Sequence, residues 1–473
     1  MNLLIKIMKS SQRGRPLPWF SHRYTGRFLL LICCVLAYQY YLYITPRDYQ
    51  TILDSQQLRV GYIKSPEVAF EFGEQSSGFE LDVIKKFAEQ KKLTIQLVKV
   101  DNDSSLLGLN TNRFDILIGH FPSAKLPKRG KQDLSENNPP LFLETTPWLK
   151  SSPVIFEHKA FKTPKSQTIS EDDEIFANIH FPTGIDSLRT RNIITLQNTD
   201  LIRKVHENDI PLGVSTITKL RINQKYRPQV RSLKKLDNSI PLVWKLPVKN
   251  SNALLAEIEV FLADDSTQNF IAKRKLFWIS RFKNINFLDV GKLERQIKAT
   301  LPTLKSVFVS AGKQENIDWM LIAALSYQES NWDIDAVSPT KVRGIMQMTK
   351  ATAKTLGIKD RTDVYESVHG ATRYLKELEQ RIPIKAKRED RIWMAVAAYN
   401  LGISRVLEAY ENVLLENPAH ISWNTISKQL TLRSNQLFRD KYTNGRRAVI
   451  YVERIKEFME ILRYYSGDQK ISI

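Results

Sequence analysis

One change of pattern near residue 300 constrains this chain most. Before it, apolar residues repeat in strand and helix periods by turns; after it, only the helical period survives. Strands are expected at Leu58–Ile63, Leu93–Val100, Asn112–Gly119, Pro153–Phe156 and Leu242–Leu246. Helices are expected at Gly78–Ala88, where Leu81, Ile84 and Ala88 share a face, and at Asn252–Leu262. Such alternation predicts an α/β domain with a mainly parallel sheet over residues 56–280. Residues 123–140 and 157–190 are polar with scattered prolines and read as long loops. Residues 281–300 read as a linker.

From 301 to 465 the expectation is a compact all-α domain. Asn316 is the expected N-cap of a helix running to Glu329. Asp390 is the expected cap of a helix over 391–400, and Gly402 its stop. Val368, Ala371, Leu375, Leu378 and Ile382 form one apolar stripe; Ala448, Val452, Ile455, Met459 and Leu462 form another. Within the first of these helices Ile317, Leu321 and Leu325 step by four, and the next step is Glu329. A carboxylate on an apolar face is costly unless paired or protonated. Burial would raise its pKa into the range of a general acid. The plain alternative is a helix-end glutamate that turns to solvent or pairs with an arginine.

The chain of 473 residues is long enough for two domains, with an N-terminal extra. Residues 1–47 contain Lys6, Lys9, Arg13, Arg15, Arg23, Arg27 and Arg47, no acid, and an apolar run from Phe28 to Ile44. That is the form of a signal peptide or of a short membrane anchor, and both place the domains outside the cytoplasm. The two cysteines, Cys33 and Cys34, lie inside this run. The folded domains therefore have no disulfide and no cysteine–metal site. The net charge of +20 suits an anionic partner. With no zinc-finger spacing, RNP motif or dense basic helix, nucleic acid is the least suited, and an acidic polymer or anionic lipid fits better. The histidines are too scattered to suggest a metal site, and no phosphate loop or Ser-His-Asp pattern stands out, so no cofactor is expected.

Two resemblances sharpen this reading. Residues 56–280 resemble the family 3 extracellular solute-binding proteins. The resemblance rests on the opening strand, the helix start at Gly78–Asp82, the turn into a strand at Asn112–Leu117 and the closing Phe270–Trp278. It implies either a working site for a small ligand, an amino acid or a muropeptide, or a domain kept for placement or regulation. Arg129 is the nearest match to that family's carboxylate-binding arginine. In the second half, Glu329-Ser330, then Ala336–Pro339, then Arg343–Met348 with its Gly-Ile-Met-Gln, then Ala397–Gly402 with its Ala-Tyr-Asn, and finally Tyr451 follow one another in order. This series resembles the family 1 lytic transglycosylases, with Ile345 in place of the usual leucine. The resemblance implies a fold like that of goose-type lysozyme. The domain order is that of a membrane-bound subfamily, which implies a periplasmic enzyme held at a membrane, expected to be the outer one.

The same resemblance implies a reaction and a site. Glu329 would protonate the bond between N-acetylmuramic acid and N-acetylglucosamine in peptidoglycan, and then, ionised, deprotonate the sugar's 6-hydroxyl to close a 1,6-anhydro ring. Ser338 and Tyr451 would support Glu329; Ser330, Gly344, Met346, Gln347, Tyr399 and Asn400 would line the glycan groove. A muramidase, with Asp333 or Asp335 holding a water, and a non-catalytic wall-binding sensor remain the alternatives.

Overall fold

The computed structural model describes residues 45–72, 75–100, 112–123, 142–160, 173–178, 181–182, 188, 191–196, 200–280, 282–416, 418, 421–433 and 443–468. The apolar run from Phe28 and the candidate Arg129 lie outside these residues. Among the described residues no helix is long and apolar enough to cross a membrane.

The first half is built as two lobes. Elements in the order α1 (Tyr49–Asp54), β1 (Gln57–Ile63), β2 (Phe70–Phe72), β3 (Gln75–Ser77), α2 (Phe79–Gln90), β4 (Thr94–Val100), β5 (Ile116–Pro122), β6 (Leu143–Glu144) and β7 (Leu149–Ser151) begin the first lobe. The chain then crosses over for β8 (Pro153–His158), β9 (Ile175–Asn178), β10 (Ile193–Leu196), α3 (Leu201–His206), β11 (Leu212–Thr216), α4 (Ile217–Gln224) and β12 (Val230–Lys235). It returns through β13 (Ile240–Leu246), and α5 (Asn252–Ala263) and α6 (Asp265–Ile279) complete the first lobe. The sheet of that lobe runs β4-β1-β5-β13-β6, with β7 also paired to β13. The second runs β10-β9-β11-β8-β12.

Both sheets are mixed rather than mainly parallel. β1 is parallel to β4 and β5, but β13 runs antiparallel to β5; β8 runs antiparallel to both β11 and β12. The reason is the crossover itself, since a chain that leaves a sheet and comes back closes it with a strand of the opposite direction. β9 also lies inside a segment read from sequence as loop; Ile175 and Ala177 bury every second side chain, a pattern too short to register among polar neighbours. Helix α2 starts at Gly78, whose φ is +155°, and a Cβ there would sit 2.2 Å from the Val68 carbonyl oxygen. Only glycine allows that approach.

The second half is helical throughout. It comprises α7 (Phe287–Ala299), α8 (Leu301–Glu315), α9 (Trp319–Ser330), α10 (Lys350–Thr355), α11 (Val364–Arg381), α12 (Arg388–Leu401), α13 (Ile403–Glu416), α14 (Trp423–Arg433) and α15 (Thr443–Asp468). Residues 281–300, read above as a linker, are mostly helix α7. Asn286 and Asp289 close its capping box, and Val290, Leu293 and Ile297 sit in the helical core. Asn316 does not start α9. It ends α8 in the left-handed conformation at φ 53°, which asparagine tolerates, and Asp318 caps α9 by accepting from the Met320 amide. Asp390 likewise caps no helix of its own: α12 begins at Arg388, and Asp390 accepts from the Trp423 amide at the head of α14. Gly402 ends α12 as expected, with φ 92°.

The halves meet through α7, where Glu294 contacts His206 of α3 at 3.1 Å, and through α15. Tyr226, just after α4, stacks on Tyr464 with centroids 4.2 Å apart and gives its hydroxyl to Glu460 at 2.7 Å. Lys225 pairs with the same Glu460, and the Tyr465 hydroxyl donates to the Tyr226 carbonyl at 2.8 Å. Tyr226 is thereby part of the helical core.

Candidate active site

Helix α9 is buried on nearly every face, from Met320 to Tyr327, as expected of a helix at the centre of a bundle. Glu329 lies in its last turn, and Asn331 in the left-handed conformation (φ 55°) ends it. The Glu329 carboxylate accepts a short hydrogen bond from the Tyr451 hydroxyl of α15. Among the described residues no lysine or arginine reaches it within ion-pair distance. Burial raises its pKa to about 7, outweighing the Tyr451 bond, which pulls the other way. The helix C-terminus, with its partial negative charge, disfavours the ionised form further. Tyr399 stands on the same side. Burial and then the Glu329 charge hold its phenol, and that of Tyr451, well above the usual tyrosine range. Both phenols are therefore neutral donors, and Glu329 is an acid near half-titration at neutral pH.

The loop after α9 forms the facing wall. Gly344 has φ 89°, and a Cβ on it would come within 2.4 Å of the Arg361 carbonyl oxygen. Its amide donates to the Ala336 carbonyl at 3.1 Å. Gln347, itself at φ 47°, donates from Nε2 to the carbonyls of Ala336 (3.1 Å) and Gly344 (2.9 Å). Ser330 Oγ donates to the Ile345 carbonyl at 2.9 Å and so ties the loop to α9. Tyr399 gives its hydroxyl to the Met346 carbonyl at 3.2 Å.

Several residues named from sequence thus converge on one place, though in altered roles. Glu329 and Tyr451 come together directly, and Tyr399 is near enough to feel the Glu329 charge. Ser330, Gly344 and Gln347 shape the loop. Met346 is fully buried, so its side chain fills core and only its carbonyl serves the site. Ser338 does not meet Glu329; its Oγ accepts from the Val342 amide at 2.9 Å and bonds Thr340, closing the turn of the loop. Asn400 is exposed and lines the neighbouring cavity with Tyr451. Asp333 faces away, beside Lys292, Gln296 and Thr300, and Asp335 is exposed.

Sequence reasoning missed two supports. Arg361 donates to the carbonyls of Met348 and Lys341, clamping the loop from behind. Arg454, one turn beyond Tyr451, donates to Gln328 Oε1 at 2.9 Å, next to Glu329. The spacing of Arg454 from Tyr451 on one helix face was the available signal for the second.

The first half holds a separate cavity of about 230 Å³ between its lobes. Glu67 of the first lobe is fully buried and meets Lys219 (2.8 Å) and Asn223 (2.9 Å) from α4 of the second. His120 contacts the Thr216 hydroxyl at 2.7 Å across the same cleft. Burial pushes Glu67 up, but Lys219 and His120 outweigh it and hold its carboxyl below the usual range.

Residues 306–420 match the family model of the transglycosylase SLT domain. The chain is 28% identical over 428 residues to a membrane-bound lytic murein transglycosylase F of Shewanella sp. (strain ANA-3), covering 88% of this chain and 87% of that protein. It is 27% identical over 451 residues to the protein of the same name from Shewanella pealeana, covering 92% and 91%. Among solved structures, the solute receptor for L-cysteine of Neisseria gonorrhoeae matches with 13% identity and a TM-score of 0.40, covering 51% of this chain and 98% of that one. The helical half thus carries a transglycosylase SLT domain, and along most of its length the chain is similar to the membrane-bound lytic murein transglycosylases F.

Proposed function

We propose that this protein is a peptidoglycan lytic transglycosylase, with Glu329 as both acid and base. The observation that carries the reading is the largely desolvated Glu329 carboxyl, with a pKa of about 7, held by a neutral tyrosine. The cycle needs both of its states. Protonated, Glu329 gives its proton to the glycosidic oxygen as the bond between N-acetylmuramic acid and N-acetylglucosamine breaks. The muramic N-acetyl oxygen takes the anomeric carbon, so the substrate supplies its own nucleophile. The ionised Glu329 then removes the proton of the 6-hydroxyl, whose oxygen displaces the acetamido oxygen and closes the 1,6-anhydro ring. The enzyme ends with its proton restored and no water consumed. A group near half-titration suits both steps. The Tyr451 hydroxyl stabilises the ionised interval.

Inverting hydrolysis needs a second carboxylate to hold a water. The influences on the Glu329 pKa are burial and Tyr451, with no second acid among them, and Asp333 faces the α7 side. This favours the transglycosylase over a muramidase. Glu329→Gln keeps the shape and the Tyr451 bond while removing the proton. It should lower the rate on purified murein by about 10²–10⁴-fold. A variant that digests murein at the wild-type rate would remove Glu329 from the role.

The cleft of the first half is proposed to take a small ligand, an amino acid or a muropeptide, because polar groups from both lobes, Ser65 and His120 on one side and Ser215 and Asn223 on the other, line it. The basic, apolar N-terminus supports a periplasmic, membrane-associated location. A reporter fused after residue 50 should be active on the periplasmic side; activity only in the cytoplasm would contradict this.

A further inference from the structure

A cavity of about 650 Å³ opens beside Tyr451 and is lined by Gln328, Asn400, Arg405, Asn444, Arg447 and Arg454 among others, with no aspartate or glutamate among the described residues. Arg447, Tyr451 and Arg454 lie at i, i+4 and i+7 of α15 and so share one face. The two guanidinium groups therefore flank the very hydroxyl that holds Glu329.

Their states differ in a telling way. Arg454 is anchored: Nε donates to Gln328, Nη1 donates to the Asn284 carbonyl at 3.1 Å, and the group stacks over Phe458 at 5.4 Å. All of these partners are neutral. Arg447 is exposed and makes no hydrogen bond or ion pair among the described residues. Arginines elsewhere in the helical half show the contrasting structural use, as when Arg391 pairs with the buried Glu379. Among the described residues neither guanidinium is in an ion pair. An arginine pair in a pocket is the arrangement that recognises carboxylates in forked geometry.

We propose that Arg447 and Arg454 form a subsite for the carboxylates of the peptide branches on the glycan strand. The proposal rests on the transglycosylase reading for its substrate. The groups proposed to line the sugar groove, Tyr399 and Asn400 among them, are neutral, so cations beside them would serve an anionic substituent. The peptide branches hang from every second sugar and end in carboxylates. Lodged next to Tyr451, one branch fixes which sugar presents its bond to Glu329.

The test is a binding measurement on full-length protein carrying Glu329→Gln, so that strands stay intact. The probes are soluble uncrosslinked strands in three forms: native, with peptide carboxyls converted to amides, and with peptides removed. The native form should bind about tenfold more tightly than the amidated form. Adding Arg447→Gln should shrink that preference to about twofold or less, and Arg447→Lys should keep part of it. Lys385→Gln, which removes an exposed cation outside the cavity, should leave the preference intact. Equal binding of native and amidated strands, or equal losses from Arg447→Gln and Lys385→Gln, would overturn the subsite. Peptide-free strands that bind as well as native ones would move the carboxylate to the sugar and overturn the peptide assignment. Native-selective binding that depends on Arg447, from a wild type that makes no anhydro ends, would keep the subsite and remove the reaction.

Discussion

Burial keeps the Glu329 carboxyl partly protonated at neutral pH, and the same burial ties its ionisation to stability. Its folded pKa of about 7 lies above the 4.5 of an ordinary glutamate. The folded state therefore holds a proton that the unfolded chain has released. The associated stability is complete below pH 4.5 and is lost as pH rises through about 7. Glu329→Gln has no such loss. Relative to wild type it should gain about 3 kcal/mol between pH 4 and pH 8. Urea midpoints at the two pH values check this, and an unchanged difference would mean that Glu329 is not desolvated. Tyr451→Phe removes the one bond that lowers the Glu329 pKa. The alkaline limb of its pH–rate profile should move to higher pH while the maximal rate falls, since the ionised base loses its donor. A limb that stays in place would separate Tyr451 from the acid.

At the scale of elements, the loop from Ala336 to Met348 is the part most sensitive to one atom. A methyl on Gly344 meets the Arg361 carbonyl, and the backbone there is left-handed. Gly344→Ala should cost about 2 kcal/mol or more and abolish most activity with Glu329 untouched. Chemical denaturation and a murein assay on the same sample check both halves of that statement. The same loop shows where the sequence was informative and where it was not. Glu329 stood out because it broke an apolar four-step, and the burial that made it stand out is what the structure delivers. The role of Met346 was not readable, because a methionine on a groove and one in a core carry the same local pattern; only its burial in the helical core distinguishes them. The α7 helix was read as linker because its apolar residues Val290, Leu293 and Ile297 are isolated among charges, and their partners lie more than 100 residues away on α15. The Asn316 cap was misplaced because two helices abut within three residues, and an asparagine suits the end of one as well as the start of the next.

At the scale of the whole molecule, α15 belongs to both halves. Its first turns carry Arg447 and Tyr451; its later turns carry Glu460, Tyr464 and Tyr465 onto Tyr226. A fragment beginning at Asn284 keeps α7 and every residue placed at the active site. It should fold as a helical protein and cleave murein, yet melt several degrees lower, on the order of 4 °C per kcal/mol lost from the Tyr226 contacts. A fragment that stays unfolded, or is lytic only when residues 45–280 are supplied, would show that the helical half depends on the other for its fold or its activity.

The chemistry of the cut ends tests the central claim most directly. Wild-type protein digests purified murein, and the soluble products are analysed by mass spectrometry before and after borohydride. Ring closure by the 6-hydroxyl predicts termini lighter by one water than hydrolysed ones and unchanged by borohydride. Products dominated by reducible termini would contradict it and assign the protein to the muramidases.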